Sequence, residues 1–343
     1  MNLPDAMITM DDPTPIHVPI AEIVAVAAVS PDREAMRHKR RGQWRCWSWE
    51  DIANETGTLA RALRERGIDG SAIVAISGDY VPALVLFAIA AARAGAPVVS
   101  VPAGIARTAL GDWLRNEPVG LGFLGLRDQL GTWRAALSET GRQSEIVVDF
   151  HLPWGHPAGA GLTAAADLLG DAARGREARR PSTEVLWIEE GTDWSDGLQF
   201  LLKALAQGMA VAFPESRMAA GRDRREVQPA RFALSGAHRA AVTRDLMTRL
   251  PAGPSLAAAL TRNALGAVRR GRVRWYQRWL LGRLRKPFGL ANLRELVVVT
   301  PTDAVQEANE PDDLFTALGI PAGGSAPPGP AAGQRARSVL AVA

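Results

Sequence analysis

Residues 43–102, QWRCWSWEDIANETGTLARALRERGIDGSAIVAISGDYVPALVLFAIAAARAGAPVVSVP, decide the fold class of this chain. Trp44, Cys46, Trp47 and Trp49 give a short β-type segment, and Ser48 is placed to cap the helix that follows. Ile52, Leu59 and Leu63 recur at near-helical spacing until Gly67 stops the pattern. Beyond Gly70, residues 72–77 read as a strand and residues 81–93 as a second helix ending at Gly95. Residues 97–101 read as a buried parallel strand, because an apolar run without polar alternation must be covered on both faces. Successive βα units of this kind predict an α/β fold of stacked, mostly parallel sheets flanked by helices.

Working outward, residues 20–29 read as a first helix that ends before Ser30 and Pro31, and residues 1–18 as a flexible leader. Further strands are expected near residues 122–126 and 145–148, which closes a first α/β subdomain over 19–150. Residues 151–183 form a Gly/Ala/Arg-rich connector with one short helix at 163–170. A second α/β subdomain with basic helices spans 184–320. From Pro321 the Gly, Pro and Ala content predicts a disordered tail, 321–343.

Three later blocks extend the pattern. Residues 184–214, EVLWIEEGTDWSDGLQFLLKALAQGMAVAFP, give a strand, a Trp-bearing turn, a helix and a second strand. Residues 225–250, REVQPARFALSGAHRAAVTRDLMTRL, give a strand after an RE-x-x-P segment and then a helix. Residues 294–320 give a strand and an ALG-I helix. In this shared order, from about Ala21 to Ile320, the chain resembles the AMP-binding domain of long-chain fatty acyl-CoA synthetases, which are adenylate-forming ligases. The resemblance implies that fold, in incomplete form, and an ancestry in ATP-dependent activation of carboxylic acids.

The resemblance also identifies what is missing. Phosphate binding in that family uses a Ser/Thr/Gly-rich loop ending in Pro-Lys-Gly, whose backbone N–H groups and lysine neutralise ATP. This chain has three lysines, Lys39, Lys203 and Lys286, and none closes a glycine-rich loop. Where the loop is due, residues 151–183 offer HLPWGHPAGAGLTAAADLLGDAARGREARRPST, which reads as a deletion. Where the family carries its adenine-stacking aromatic-Gly-x-Thr-Glu motif, residues 321–330 are PAGGSAPPGP, and the expectation is that residues 321–343 hold no counterpart of its ribose-binding aspartate and C-terminal domain. The expectation is a non-catalytic homologue with no catalytic, cofactor-binding or metal residues, acting as a binding or regulatory partner in acyl or lipid metabolism. The alternative is an AMP-forming acid-thiol ligase completed by a partner chain, and only then would ATP, Mg and CoA be its cofactors.

Composition bounds the class. With 343 residues, 47% hydrophobic and 22% charged, the chain can bury a sizeable core and is no disordered protein. A single cysteine, Cys46, excludes an internal disulfide. The N-terminus has no basic, apolar signal pattern, and the longest apolar runs, 19–29 and 81–92, fall short of the ~20 residues a spanning helix needs. The expected location is cytoplasmic, with peripheral contact at the inner membrane surface as the extension of that reading.

Charge is uneven. Residues 246–294 hold 11 basic and no acidic residues, so of the 40 Lys and Arg only 29 face the chain's 36 Asp and Glu elsewhere. The anionic-lipid or partner surface expected there comprises Arg269, Arg270, Arg274, Trp275, Arg278, Trp279, Arg283, Arg285 and Lys286. On a helical projection of VRWYQRWLLGRLRK, Val273–Lys286, one side carries Val273, Tyr276, Leu280 and Leu284. The opposite side carries Arg274, Arg278 and Arg285, with the tryptophans at the boundary. That layout suits an anionic membrane surface or another protein of acyl metabolism; it equally suits a helix packed on its own core with solvated arginines. Nucleic acid is not expected, since no recognition motif accompanies the charge.

Other candidates have plainer readings. His151 and His156 read as a loop-surface pair, having no carboxylate or thiol near enough to complete a metal set. His238 reads as a helix-start histidine, although the resemblance puts it near acyl and nucleotide pockets. Glu189, Glu190, Asp193 and Asp196 around Trp194 read as a solvated turn, with cation binding as the alternative. Trp44, Trp47 and Trp49 read as a β-hairpin with cross-strand aromatic packing.

Overall fold

The computed structural model describes residues 14–150, 161–170, 175–177, 182, 184–251, 253–299 and 314–323. Its architecture follows from period-2 burial in the strands. In the five-stranded sheet, Val74, Ile76, Leu121 and Phe123 face one core while Ile73, Ala75, Leu124 and Val148 face another. In the eight-stranded sheet, Leu186, Val211 and Ala233 face that first core, and Val185, Trp187, Phe232 and Leu234 face a third. Two sheets covered on both faces therefore share one central helical layer, as the sequence predicts for stacked α/β sheets.

The central layer begins with α1 (Ile20–Val29), which buries Ile23 and Ala27. Next come β1 (Glu34–Arg40) and β2 (Gln43–Ser48), an antiparallel hairpin with Arg40 opposite Gln43. Arg41 and Gly42 both have positive φ, 49° and 77°, the two-residue turn whose twist matches flanking strands. Helix α2 (Trp49–Glu65) starts at the capping box that Ser48 announces: Ser48 Oγ accepts from Asp51 N at 3.1 Å and Asp51 Oδ2 accepts from Ser48 N at 2.9 Å. Helix α3 (Pro82–Ala94) is apolar all round because it lies between the sheets; Leu84, Val85, Leu86, Phe87 and Ile89 are fully buried, each contributing ~1.5–3 kcal/mol.

The five-stranded sheet is all parallel, with β4 (Val98–Ser100), β3 (Ile73–Ser77), β5 (Val119–Leu124), β6 (Glu145–Val148) and β7 (Leu162–Ala164) in that spatial order. Helices α4 (Arg107–Asn116) and α5 (Gln129–Thr140) cover its outer face, and the short α6 (Ala165–Leu169) joins the central core. The other sheet runs β13 (Ala322–Gly323), β12 (Glu295–Val299), β11 (Arg231–Ser235), β9 (Val185–Trp187), β10 (Ala210–Phe213), β1, β2 and β8 (Arg176–Glu177). Helix α7 (Gly197–Ala206) packs on its inner face. On the outer face lie α8 (Ala220–Val227), α9 (Gly236–Arg249), α10 (Leu256–Arg269), α11 (Trp275–Arg285) and α12 (Leu314–Ala317).

Several expectations change. The hairpin 34–48, from the first expected subdomain, sits inside the sheet of the second, with Met36 paired to Val211 and His38 to Phe213. The connector contributes β7 to one sheet and β8 to the other. Residues 14–18 are packed as well: Ile16 N donates to Val98 O and Val18 is buried. Tail residues Ala322 and Gly323 pair with Leu296 and Val297. The remaining leader and tail, and His151 and His156, lie outside the described residues. Trp44 and Trp47 stand opposite Lys39 and Met36, and Trp49 opens α2, so the cross-strand partners of the tryptophans are not aromatic.

Candidate functional site

Winding order locates the site. In the five-stranded sheet β3 is flanked by β4 on one side and β5 on the other; in the eight-stranded sheet β9 is flanked by β10 and β11. Each is a point where the winding reverses, and the crevice beyond the carboxyl ends of such strands is where α/β proteins place ligands. Here the two reversal points are tied together. Asp79 and Gly191 form an antiparallel bridge, Thr192 N donates to Gly78 O at 2.8 Å, and Gly78 N donates to Thr192 Oγ1 at 3.0 Å. Tyr80 N donates to Glu190 O and its hydroxyl to Trp194 O, at 3.1 and 3.0 Å. Only glycine fits at 78: its φ is 141° and a Cβ would lie 2.8 Å from Gly125 Cα.

The acidic cluster converges on this junction. Glu189 is buried and accepts from Trp187 Nε1 at 2.5 Å and from Arg224 Nη1 at 2.9 Å, and its Oε1 lies 2.9 Å from His238 Nε2. Burial alone would raise the Glu189 pKa, but the Arg224 charge and the hydrogen bonds of His238 and Trp187 outweigh it and hold the carboxyl below its usual value. Burial opposes protonation of His238, yet Glu189, with Glu190 behind it, raises the imidazole above 6.5. Arg224 is fixed further by donating Nε to Phe288 O at 2.9 Å, with its guanidinium 4.9 Å from the Phe232 ring centroid. Glu190 accepts from Ser235 N at 2.6 Å and Oγ at 2.7 Å, closing the reversal point between β9 and β11. Asp193 accepts from Gly104 N and Arg217 Nη2, and Arg217 Nε donates to Asp79 at 2.5 Å.

Glu189, Glu190, Asp193, Trp194, Arg217 and His238 line a cavity of about 120 Å³. The solvated-turn reading therefore fails for Glu189 and Glu190, whose oxygens are engaged by protein donors, whereas Asp193 and Asp196 are exposed, Asp193 while accepting from Gly104 N and Arg217. His238 does stand in the first turn of α9, where its N–H bonds to the capping Ser235 Oγ, but its ring belongs to the site. Sequence reading missed Asp79, Arg217 and Arg224. They come from other elements: Asp79 follows the end of β3, Arg217 lies in the turn after β10, and Arg224 sits within α8, where nothing in the sequence marks it.

Residues 23–152 match the family of AMP-binding enzymes. Solved structures extend the likeness over most of the chain. The adenylation domain of a carboxylate reductase from Mycobacterium chelonae aligns with a TM-score of 0.64 at 12% identity, covering 90% of this chain and 57% of that one. An acyl-CoA synthetase from Brucella canis aligns at 0.59 and 14%, covering 92% and 58%. A putative long-chain-fatty-acid CoA ligase from Rhodopseudomonas palustris aligns at 0.52 and 14%, covering 84% and 71%. No curated protein matches the chain by sequence. The fold is that of the N-terminal domain of adenylate-forming enzymes, and the chain spans 57–71% of the length of these three.

None of the three lysines lines the strand-end cavity. Lys39 Nζ is buried against Glu226 at 2.6 Å and Asp223 at 3.2 Å, Lys203 is exposed on α7, and Lys286 is exposed beyond α11. The basic surface forms from α10 and α11. Helix α11 begins at Trp275, so Val273 and Arg274 precede it; of the expected apolar side, Val273, Leu280 and Leu284 pack against the core. Gln277 and Leu281 face inward, Arg285 is half-buried and donates Nε to Leu318 O at 2.8 Å, and Trp275 and Trp279 are 81% and 59% exposed. Arg270, Arg274, Arg278, Arg283 and Lys286 are exposed, and Arg269 closes α10. No helix among the described residues is long and apolar enough to cross a membrane.

Proposed function

We propose that this chain is a non-catalytic relative of acyl-activating, adenylate-forming enzymes that serves as a binding or regulatory partner in acyl or lipid metabolism. The observation carrying the proposal is the strand-end crevice, where the cavity is about 120 Å³ and the carboxylates lining it are bonded to protein donors. Sites for drug-sized and cofactor-sized ligands run to ~300–1,000 Å³. Arg224, the fully buried cation beside it, neutralises Glu189 and so is not available to a phosphate. Losing one oriented electrostatic group commonly costs ~100-fold or more in rate, and here the lysines stand elsewhere.

The competing reading is an acyl-CoA synthetase completed by a partner chain, and it draws on His238 and Arg217, two basic groups that face the same cavity. ATP–pyrophosphate exchange with long-chain fatty acids separates the two. The expected outcome is that the purified chain, once circular dichroism confirms that it is folded, gives no exchange above the acid-free blank. Robust exchange refutes the non-catalytic reading.

A further inference from the structure

Helix α11 presents an unusual outward face. Counting from Trp275 in steps of three and four gives Arg278, Trp279, Gly282, Arg283 and Lys286, one continuous stripe opposite the buried Gln277 and Leu281. Two tryptophans thus stand at the middle of an exposed helical face, with the Arg283 guanidinium 4.9 Å from the Trp279 ring. The inward face is anchored: Gln277 Nε2 donates to Asn263 Oδ1 of α10 at 2.8 Å, and its Oε1 accepts from Arg274 N at 2.8 Å. The stripe is accordingly held outward by the packing of α10 on α11 and cannot fold its aromatics into the core.

Beside the stripe, the turn joining α10 to α11 opens into a cavity of about 600 Å³, lined by Arg270, Arg272, Arg274 and Arg278 together with Tyr276. Among the described residues none of these four guanidinium groups pairs with a carboxylate; the ion pairs of this segment are Arg249 with Asp245 and Arg294 with Glu184, at its margins. Leu256 and Leu260 on α10 are 77% and 45% exposed. Unpaired guanidinium groups around an open depression complement phosphate, and exposed indoles and leucines complement the apolar boundary just beneath phosphate.

We infer that the α10–α11 face docks the protein on anionic lipid bilayers, with Arg270, Arg272, Arg274 and Arg278 receiving headgroup phosphates and Trp275 and Trp279 inserting at headgroup depth. A cationic surface alone fits acidic protein equally well. The tryptophans decide for the bilayer, since they are large amphipathic groups left 81% and 59% exposed, with only Tyr276 edge-on to Trp275 and Arg283 over Trp279, carried between the charges that an interface would pull toward it. The inference is independent of whether the strand-end crevice is catalytic.

The test is co-sedimentation of the full chain with vesicles of phosphatidylcholine alone or with one third phosphatidylglycerol. Expected is retention on the anionic vesicles in dilute buffer, release in about 1 M salt where the Debye length falls to about 3 Å, and quenching of tryptophan emission by brominated lipid. Replacing Arg270, Arg272 and Arg278 with glutamine weakens partitioning about a hundredfold, at roughly fivefold per charge, while melting is unchanged. Trp275→Ala with Trp279→Ala abolishes the brominated-lipid quenching. Failure of retention, equal retention on neutral vesicles, absence of quenching in the unaltered chain, or capture by polyglutamate without vesicle binding overturns the inference.

Discussion

Arg224 and Arg278 are one residue type put to opposite uses. Arg224 is buried and clamped by Glu189, Phe288 O and the Phe232 ring; Arg278 stands exposed beside an open cavity with no carboxylate partner among the described residues. In the first region charge is internal and ties the end of β9 to the helices α8 and α9 that cover its sheet. In the second it is external and left for something else to meet. A buried ion is costly to unpair because its solvation cannot be recovered, whereas a surface ion loses little.

The strongest test of that contrast removes the shared carboxylate. Glu189→Leu leaves the Arg224 guanidinium buried without its counter-ion, and urea unfolding should show a loss of about 3–5 kcal/mol. Adding Arg224→Met should recover most of it; no recovery would mean that shape, and not charge, is what Glu189 supplies. The next effect concerns His38, buried in β1 with no hydrogen bond to Nε2 among the described residues and its pKa lowered to about 4 by burial and by Arg40. The folded value lies below the unfolded one, so the neutral ring stabilises the protein above pH 6.5. That contribution, about 3 kcal/mol at most, is lost as pH falls toward 4. Denaturation from pH 7 to 4.5 should be flatter in His38→Gln.

His238 runs the other way. Its folded pKa is raised, so its contribution is complete below pH 6.5 and lost as pH rises through the folded value. His238→Ala should therefore cost about 1 kcal/mol near pH 6 and less near pH 9, read from the same urea midpoints. Smallest of all is Arg278→Gln, whose unfolding midpoint should match the parent within about 0.5 kcal/mol. A large loss there would place Arg278 among the internal charges and erase the distinction.

Much of the architecture was legible because it rests on local rules. Ser48 capping α2 and the limits of α1 and β6 follow from capping chemistry and apolar runs. Strand β1 was not legible: Glu34–Arg40 is rich in basic residues, yet Arg37 is buried against Glu34 on its own strand, Lys39 is buried because Asp223 and Glu226 of α8 reach it across the fold, and His38 is buried in neutral form. The site was half legible for the same reason. The acidic cluster and His238 stand out in sequence, but that Glu189 is an internal counter-ion depends on Arg224, 35 residues away. The apolar side of α11 was legible, since Val273, Leu280 and Leu284 pack against the core, but Arg285 is half-buried and donates to Leu318 O, a contact amphipathic counting does not contain.

The hairpin of β1 and β2 has a consequence for biogenesis. It leaves the ribosome early, yet β1 pairs with Val211–Phe213 in β10, and at ~5–20 residues per second that partner emerges on the order of ten to thirty seconds later. During that interval an edge rich in Trp and unpaired backbone is open to strangers. Nascent chains of this protein should accordingly engage a holding chaperone until the second sheet is synthesised.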